Sequence, residues 1–369
     1  MELVTNDNMV QADELPMEPQ LPELSLRDFR NSNRMPSLLK KIHLPKQKNI
    51  LETLKNFWQE NKGHDFLVRI GDHDFPCDRL ILMVYVDLVR QELDKCELRL
   101  PENLVRPETF EMLYDWMSNQ TPLVKRPGIV HLLLAADYLK IEKLSSHIWY
   151  CLEQDSGFGE DQAIQVALDA LPFKDLNRLH CLMLHRVQYF FLVFISSIEF
   201  FALPVKSLIF LLSSNEIRVN SEAEVFYAAI RWLNHKWPTR QIHAMEVMEK
   251  VRICRMPGEL VQSFELQVDD IRVDRIIQLP ELKPFIEKGS FDQVAMQFDD
   301  GTKMYNQIYE IFDVTVAQPR RFICHDLAPY HKPEPNSPDQ VFSYVDFLGY
   351  LGVLQTLPLD SLKLLEKPL

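Results

Sequence analysis

The side chains best suited to chemistry are few and scattered. His180, Cys181 and His185 form one imidazole–thiol group, and Cys324-His325-Asp326 forms a second. A structural zinc site draws four such ligands from pairs at fixed spacing. His180 and His185 stand five residues apart, off a common helical face, and no second ligand pair is near at the usual spacing. Both groups are therefore expected in the core or on the surface, without a metal. The chain has no Gly-x-Ser-x-Gly elbow, and no cysteine sits in a recognisable catalytic setting. With 53 Asp and Glu residues, carboxylate pairs arise by chance, so spacing nominates no acid–base couple. The one Gly-x-Gly, Gly157-Phe158-Gly159, has no third glycine after it, so no phosphate cradle is written here. The residue types predict no catalytic site, no cofactor and no enzyme.

Composition narrows the partners. The 369 residues are enough for two or three domains with real cores. A formal net charge of −13 repels polyphosphate, which argues against nucleic acid and for a protein or small-molecule partner. Only 10 glycines against 23 prolines and 22 phenylalanines favour helix over tightly turned architectures. Six cysteines stand singly and nothing at the N-terminus has the pattern of a signal peptide, so reduced, mostly buried thiols of an intracellular protein are expected. The compartment expected is the cytoplasm, with the nucleus second. The apolar run Val187–Leu212 holds no uncharged stretch longer than the 12 residues Val187–Ile198. A membrane span needs about 20, so buried helices joined at Leu203-Pro204 are expected and no membrane contact.

The elements follow from periodicity. Residues 1–26 hold six acids and no Lys or Arg, and residues 27–48 hold seven Lys and Arg with one Asp, which reads as a weakly ordered arm. Ile50, Leu51, Leu54, Phe57 and Trp58 recur at helical spacing. Alternation in Asp65–Ile70 puts Phe66, Val68 and Ile70 on one side of a strand, and Gly71-Asp72 turns it into a hairpin. Leu80–Val89 reads as one apolar helix and Glu97–Leu100 as a short strand. Pro107 opens a helix with Phe110, Leu113, Tyr114 and Met117 inward, and Ile129–Leu139 is apolar nearly all round. From Asp161 to about Val294 the pattern is helical. Ser221-x-x-Glu224 reads as a capping box opening a helix whose core stripe is Val225, Phe226, Ala229, Ile230 and Leu233. Past Phe298, Ile311–Ala317 can be a strand, Pro329–Pro338 is a loop and Val341–Leu354 is apolar and aromatic.

Two stretches carry a resemblance. His64–Leu82 resembles the opening of a BTB/POZ domain, with Asp65, Phe75 and Arg79 at the family's Asp, Phe and Arg, and Asp78 where the family has histidine. LLLAADYLKIEKL, Leu132–Leu144, resembles that family's Leu-x-x-Ala-Ala-Asp-Tyr-Leu-x-Ile-x-x-Leu. Farther on, Phe201–Pro204, Ser214–Glu222 and Trp232 follow the order of the BACK domain of kelch-like proteins. After Glu259 the chain has four glycines, none adjacent, and no tryptophan, which excludes a kelch propeller. The last 70 or so residues resemble the short region attached to BTB–BACK in some insect proteins. The fold expected is mostly α with a small α/β portion. Its parts are an arm at 1–48, a BTB/POZ domain at 49–153, a helical BACK domain at 155–297 and a mixed C-terminal region at 298–369.

What the resemblance implies is a protein-interaction adaptor. BTB–BACK proteins dimerise through BTB and hold a cullin-3 scaffold, while a third domain selects a client for ubiquitin transfer. The alternative is a dimeric structural or regulatory scaffold without cullin binding. By resemblance, Ile50, Leu54, Phe57 and Trp58 belong to a homodimer interface, with Asp65 and Arg79 near its axis as a buried pair. The cullin motif, a hydrophobic-x-Glu, belongs in the link Arg90–Glu97, shorter here than is usual, where Glu92 is the nearest candidate. With no propeller, an unknown client falls to the C-terminal region. There Phe342, Tyr344, Phe347 and Tyr350 either bind a partner or pack back onto BACK. A binding role implies that a chain ending at Asp300 still folds.

Overall fold

Alternating burial builds the first sheet. In β1 (Phe66–Ile70) the side chains of Phe66, Val68 and Ile70 are buried and Leu67 and Arg69 are not. Gly71 and Asp72 turn the chain into β2 (His73–Cys77), which pairs antiparallel with Ile70 opposite His73 and Val68 opposite Phe75. Gly71 has a φ of +57°, and a Cβ there would lie 2.6 Å from Glu102 Oε2, so the turn takes glycine. Strand β3 (Glu97–Leu100) joins the other edge of β1 in parallel, with Val68 opposite Leu98, giving the order β2-β1-β3. A parallel pair needs a crossover. The computed structural model describes residues 64–297, apart from 92–93, 119–127, 155–157, 159, 266–267 and 269, and then 309–311, 314, 317–325, 327–330, 340–357 and 366–368.

The crossover is two helices and not one. Helix α1 (Arg79–Tyr85) stops at Val86, whose backbone is extended at φ −116° and ψ 108°, and α2 (Asp87–Gln91) follows. The reading of Leu80–Val89 as a single helix fails because Val86 turns inward there and is buried. Asp78, in place of the family histidine, caps α1: its carboxylate accepts the Leu80 N–H at 2.9 Å. Its own N–H donates to the Tyr114 hydroxyl at 2.8 Å. Helix α3 (Pro107–Ser118) buries Phe110, Leu113 and Met117. Helix α4 (Ile129–Tyr138) is central, with Val130, Leu132, Leu133, Ala135 and Ala136 without exposed surface. Helix α5 (Glu142–Glu153) closes this part.

The remainder is helical up to Gln297. Helices α6 (Glu160–Ala170), α7 (Asn177–Val187), α8 (Phe191–Ser196) and α9 (Val205–Ser213) precede α10 (Glu222–His235). They are followed by α11 (Ala244–Met248), α12 (Gly258–Ser263), α13 (Ile271–Ile277) and α14 (Lys283–Gln297). The helical run Lys174–Ser196 is long and apolar enough to cross a membrane by length and composition, but 67% of its most apolar window is buried in this fold. Arg186 within it is also buried, and donates to the Phe158 carbonyl at 2.9 Å and the Glu153 carbonyl at 3.0 Å. That arginine ties α7 to the end of α5. In α10, eleven of fourteen residues are buried, including the whole stripe Val225, Phe226, Ala229, Ile230 and Leu233.

The C-terminal region is sewn onto this bundle. Residues 309–311 are helical, so Ile311 does not begin a strand. Phe322 instead bridges in parallel to Val219, and β4 (Ile323–His325) pairs antiparallel with β5 (Glu366–Pro368). Helix α15 (Tyr344–Thr356) carries a true capping box, Ser343 with Asp346, and packs on α8 and α10. Phe226 lies at the centre of α10 with no exposed surface, its ring 5.1 Å from that of Phe264 on the α12 side. Phe226→Ala is expected to destabilise by about 3–5 kcal/mol. A lowered urea midpoint at unchanged slope is the readout, and a midpoint equal to wild type contradicts the packing assigned to this ring.

Candidate functional site

Of the interface residues expected in the first domain, Ile50, Leu54, Phe57 and Trp58 lie outside the described residues, as does Glu92. Asp65 and Arg79 do come together. The contact runs from the Arg79 backbone N–H to Asp65 Oδ1 at 2.8 Å, at the start of α1, and Asp65 is exposed in the single chain. The Arg79 guanidinium lies 5.3 Å from the centroid of the Phe66 ring and reaches the Lys95 carbonyl. Beside it, Leu80 (54% exposed) and Val84 (66%) stand one turn apart on α1, and Leu88 (37%) continues on α2. This row of exposed aliphatics is not what a solvated helix face carries. Periodicity pointed to the helix but not to which side would be left open.

His180, Cys181 and His185 do not converge, and the side chains of Cys324, His325 and Asp326 lie outside the described ones. Buried His180 meets the Ala167 carbonyl at 2.7 Å through Nδ1 and the Ser207 hydroxyl at 2.8 Å through Nε2, tying α7 to α6 and α9. Cys181 and His185 point away to solvent. Among the described residues, no group of three or more His, Cys, Asp or Glu is placed to hold a metal ion. The expectation of mostly buried cysteines is not met. Of the five described, Cys77 and Cys254 are buried, Cys151 is half-buried, and Cys96 and Cys181 are exposed. Single cysteines in helices of mixed burial carry no pattern from which sidedness can be read. Burial, with Asp78 alongside, pushes the Cys77 thiol up to about 12, which keeps it protonated and unreactive.

The polar cluster that the sequence did not nominate lies under the N-terminus of α10. Glu222 and Arg320 form an ion pair in which neither side chain is exposed. Arg320 Nε and Nη2 donate to the two carboxylate oxygens at 2.8 and 3.0 Å. The same guanidinium donates to the Ser214 carbonyl at 2.5 Å and the Lys250 carbonyl at 2.8 Å. Glu222 also accepts the Arg252 N–H at 3.0 Å. Two residues on, fully buried Glu224 accepts from Asn220 N–H at 2.6 Å, Asn220 Nδ2 at 2.8 Å and the Tyr330 hydroxyl at 2.9 Å. The predicted capping box is thereby corrected. One half of it is present, the Ser221 backbone N–H meeting the Glu224 carboxyl, but the Ser221 hydroxyl accepts no cap hydrogen bond and is buried without a partner. A signal was present: two glutamates inside an otherwise apolar helix stripe demand buried partners.

The aromatics proposed to bind a client take the packing alternative in this chain. Phe342, Tyr344, Phe347 and Tyr350 are all buried. The rings of Phe342, Tyr344 and Phe347 stand 5.5, 5.5 and 5.7 Å from Tyr227 of α10, whose hydroxyl donates to the Phe342 carbonyl at 2.8 Å. Tyr330 stacks on Phe342 at 3.5 Å and meets the Tyr350 ring at 5.7 Å. Their burial follows from area: an aromatic helix face beside an apolar bundle loses more water-exposed surface by docking than by standing free.

Two measurements probe this cluster. Arg320→Ala leaves Glu222 buried and uncompensated, and is expected to cost about 3–5 kcal/mol in equilibrium unfolding. Burial pushes the Glu224 carboxyl up to about 7 from its ordinary 4.5, against the lowering effect of its hydrogen bonds. A carboxyl raised in the folded state holds its proton more tightly there than in the unfolded chain. Its contribution to stability is therefore complete below about pH 4.5 and is lost as pH rises through about 7, a change of about 3 kcal/mol. Glu224→Gln is expected to flatten that segment of the stability–pH profile. An unchanged slope between those limits would place the titration elsewhere.

Comparison with known proteins agrees with this geometry. Residues 54–156 match the BTB/POZ domain, residues 168–265 match BACK (BTB And C-terminal Kelch), and residues 275–365 match a domain of unknown function (DUF4734). Human Kelch-like protein 6 is 26% identical over 255 residues, which is 65% of this chain and 38% of that protein. Kelch-like protein 25 of Xenopus laevis is 23% identical over 61% of this chain and 39% of its own length, and rat Kelch-like protein 2 is 26% identical over 66% and 41%. The chain thus spans about two fifths of the length of the curated relatives it matches. The BTB domain of zebrafish PATZ1 is similar at 19% identity, over 30% of this chain and 99% of that one, with a TM-score of 0.27. A three-stranded α/β unit, then a helix bundle built on α10, then a docked C-terminal region: this chain carries a BTB/POZ domain followed by a BACK domain, in the order found in kelch-like proteins.

Proposed function

We propose that this chain is a non-enzymatic protein-interaction adaptor that homodimerises through its BTB domain and brings a client protein to a cullin-3 RING E3 ubiquitin ligase. The observation that carries the dimer is the exposed row Leu80, Val84 and Leu88 beside Asp65 and Arg79. Covering it in water-free contact with the same row of a second copy makes an isologous interface. The adaptor reading draws support from the BTB–BACK order shared with Kelch-like relatives. Glu92, next after the last residue of α2, remains the cullin-contact candidate. The client is unidentified, and the compartment proposed is the cytoplasm, with the nucleus second.

One observation favours the second reading, a dimeric scaffold without cullin binding. Helix α2 ends at Gln91 and β3 begins at Glu97, so only residues 92–96 separate them. The pair Leu80→Asp with Val84→Asp is expected to turn a dimer into a folded monomer, measured by light scattering at micromolar concentration. A wild-type monomer under those conditions removes the dimer. Co-precipitation with cullin-3, lost in Glu92→Ala, is the expected outcome for the adaptor; a dimer that never retains cullin-3 selects the scaffold.

A further inference from the structure

Residues 317–323 lie on the helical bundle as an extended peptide lies in a receptor. On one side the segment follows the stretch before α10: the Arg321 N–H donates to the Asn215 carbonyl at 2.9 Å, and the Ile323 N–H to the Val219 carbonyl at 2.9 Å. Phe322 forms the parallel bridge to Val219. On the other side two arginine side chains hold its carbonyls, Arg255 Nε at 3.0 Å from the Ala317 oxygen and Arg252 Nη1 at 2.7 Å from the Gln318 oxygen. These four contacts go to main chain, so they accept any extended sequence that has N–H groups at the two donor positions.

Selectivity comes from one side chain. Arg320 drops into a closed socket whose walls are the Glu222 carboxylate and the carbonyls of Ser214 and Lys250. A carboxylate gripped by both Nε and Nη2, with two carbonyls on the remaining donors, fits a planar guanidinium and not a lysine ammonium. Ile323 is buried three residues later, and Arg321 lies over Glu216 at 3.6 Å on the exposed side. The occupant read by this groove is therefore an extended segment with arginine, a second basic residue, and an aliphatic residue three positions after the first arginine.

We propose that the groove formed by residues 214–222 and 250–255 is an arginine-reading peptide site, filled by the chain's own segment 317–323 acting as an intramolecular strap, and able to take such a segment from another protein when the strap is released. The site needs neither dimer nor cullin, so it stands or falls apart from the adaptor reading.

The test uses the full chain with Arg320→Ala and a fluorescently labelled peptide of the strap sequence, AQPRRFI. Saturable binding is expected by fluorescence polarisation, at least tenfold tighter than for AQPARFI. Absence of binding, or equal binding of the two peptides, overturns the proposal. Should Arg320→Ala fail to fold, the wild-type chain carries an independent test in hydrogen exchange. The Arg321 and Ile323 amides are expected to exchange at least tenfold faster than those of Phe226 and Ile230 in α10, through local opening of the strap. Exchange at one common rate would make the segment an inseparable part of the core, and the proposal fails.

Discussion

Glu222 and Arg320 are the constraint on which the helical part of the molecule rests. Removing a carboxylate and a guanidinium completely from water costs several kcal/mol per ion, and only complete mutual pairing with satisfied remaining donors offsets it. Here that completion takes carbonyls from Ser214 and Lys250 and an N–H from Arg252. Four separate stretches of chain must therefore be in place together. The first turn of α10, the loop before it, the end of the α11 region and the C-terminal segment all meet at this one pair. Glu224 extends it to Tyr330 and, through the stack on Phe342, to α15.

From α10 the rigidity runs outward in both directions. Trp232 donates its indole N–H to the Leu203 carbonyl at 3.1 Å, and Arg240 lies 3.7 Å over its ring, which fixes the far end of the helix. Toward the N-terminal side, buried Arg186 reaches the last turn of α5, and Arg178 pairs with Glu153 at 2.9 Å while covering Trp149. The end of α5 is thus bonded to α7 through a main-chain carbonyl and an ion pair. For the adaptor proposed above, such a junction matters more than any single reactive group.

The C-terminal region is packed onto this bundle. A chain ending at Asp300 would remove Arg320 and Tyr330 and leave two glutamates buried without their partners. Such a chain is expected to be less stable than the full one, because both carboxyl groups lose a buried partner. Tyr344 and Phe347 of α15 are spent on Tyr227, so the client proposed above is left to other surfaces of the bundle.

Much of the local structure was determined by the sequence alone. Period-two alternation at Phe66, Val68 and Ile70 with Gly71 after it admits one hairpin, and the nearly all-apolar Ile129–Leu139 and the stripe from Val225 to Leu233 admit only buried helices. The two resemblances named the domains and their order, because those signatures are contiguous in the chain. What tertiary structure decided is everything that depends on residues far apart in sequence. Glu222 and Arg320 are 98 positions apart, and no local period connects them; the partner of a buried charge is chosen by which segments pack together. The same reason brought Tyr330, 106 positions away, to Glu224, since a carboxyl in a sealed core takes the donors that enclose it. It also broke the helix at Val86 and left Leu80 and Val84 facing outward, for an apolar residue declares that it avoids water but not whether its shelter is its own chain or another.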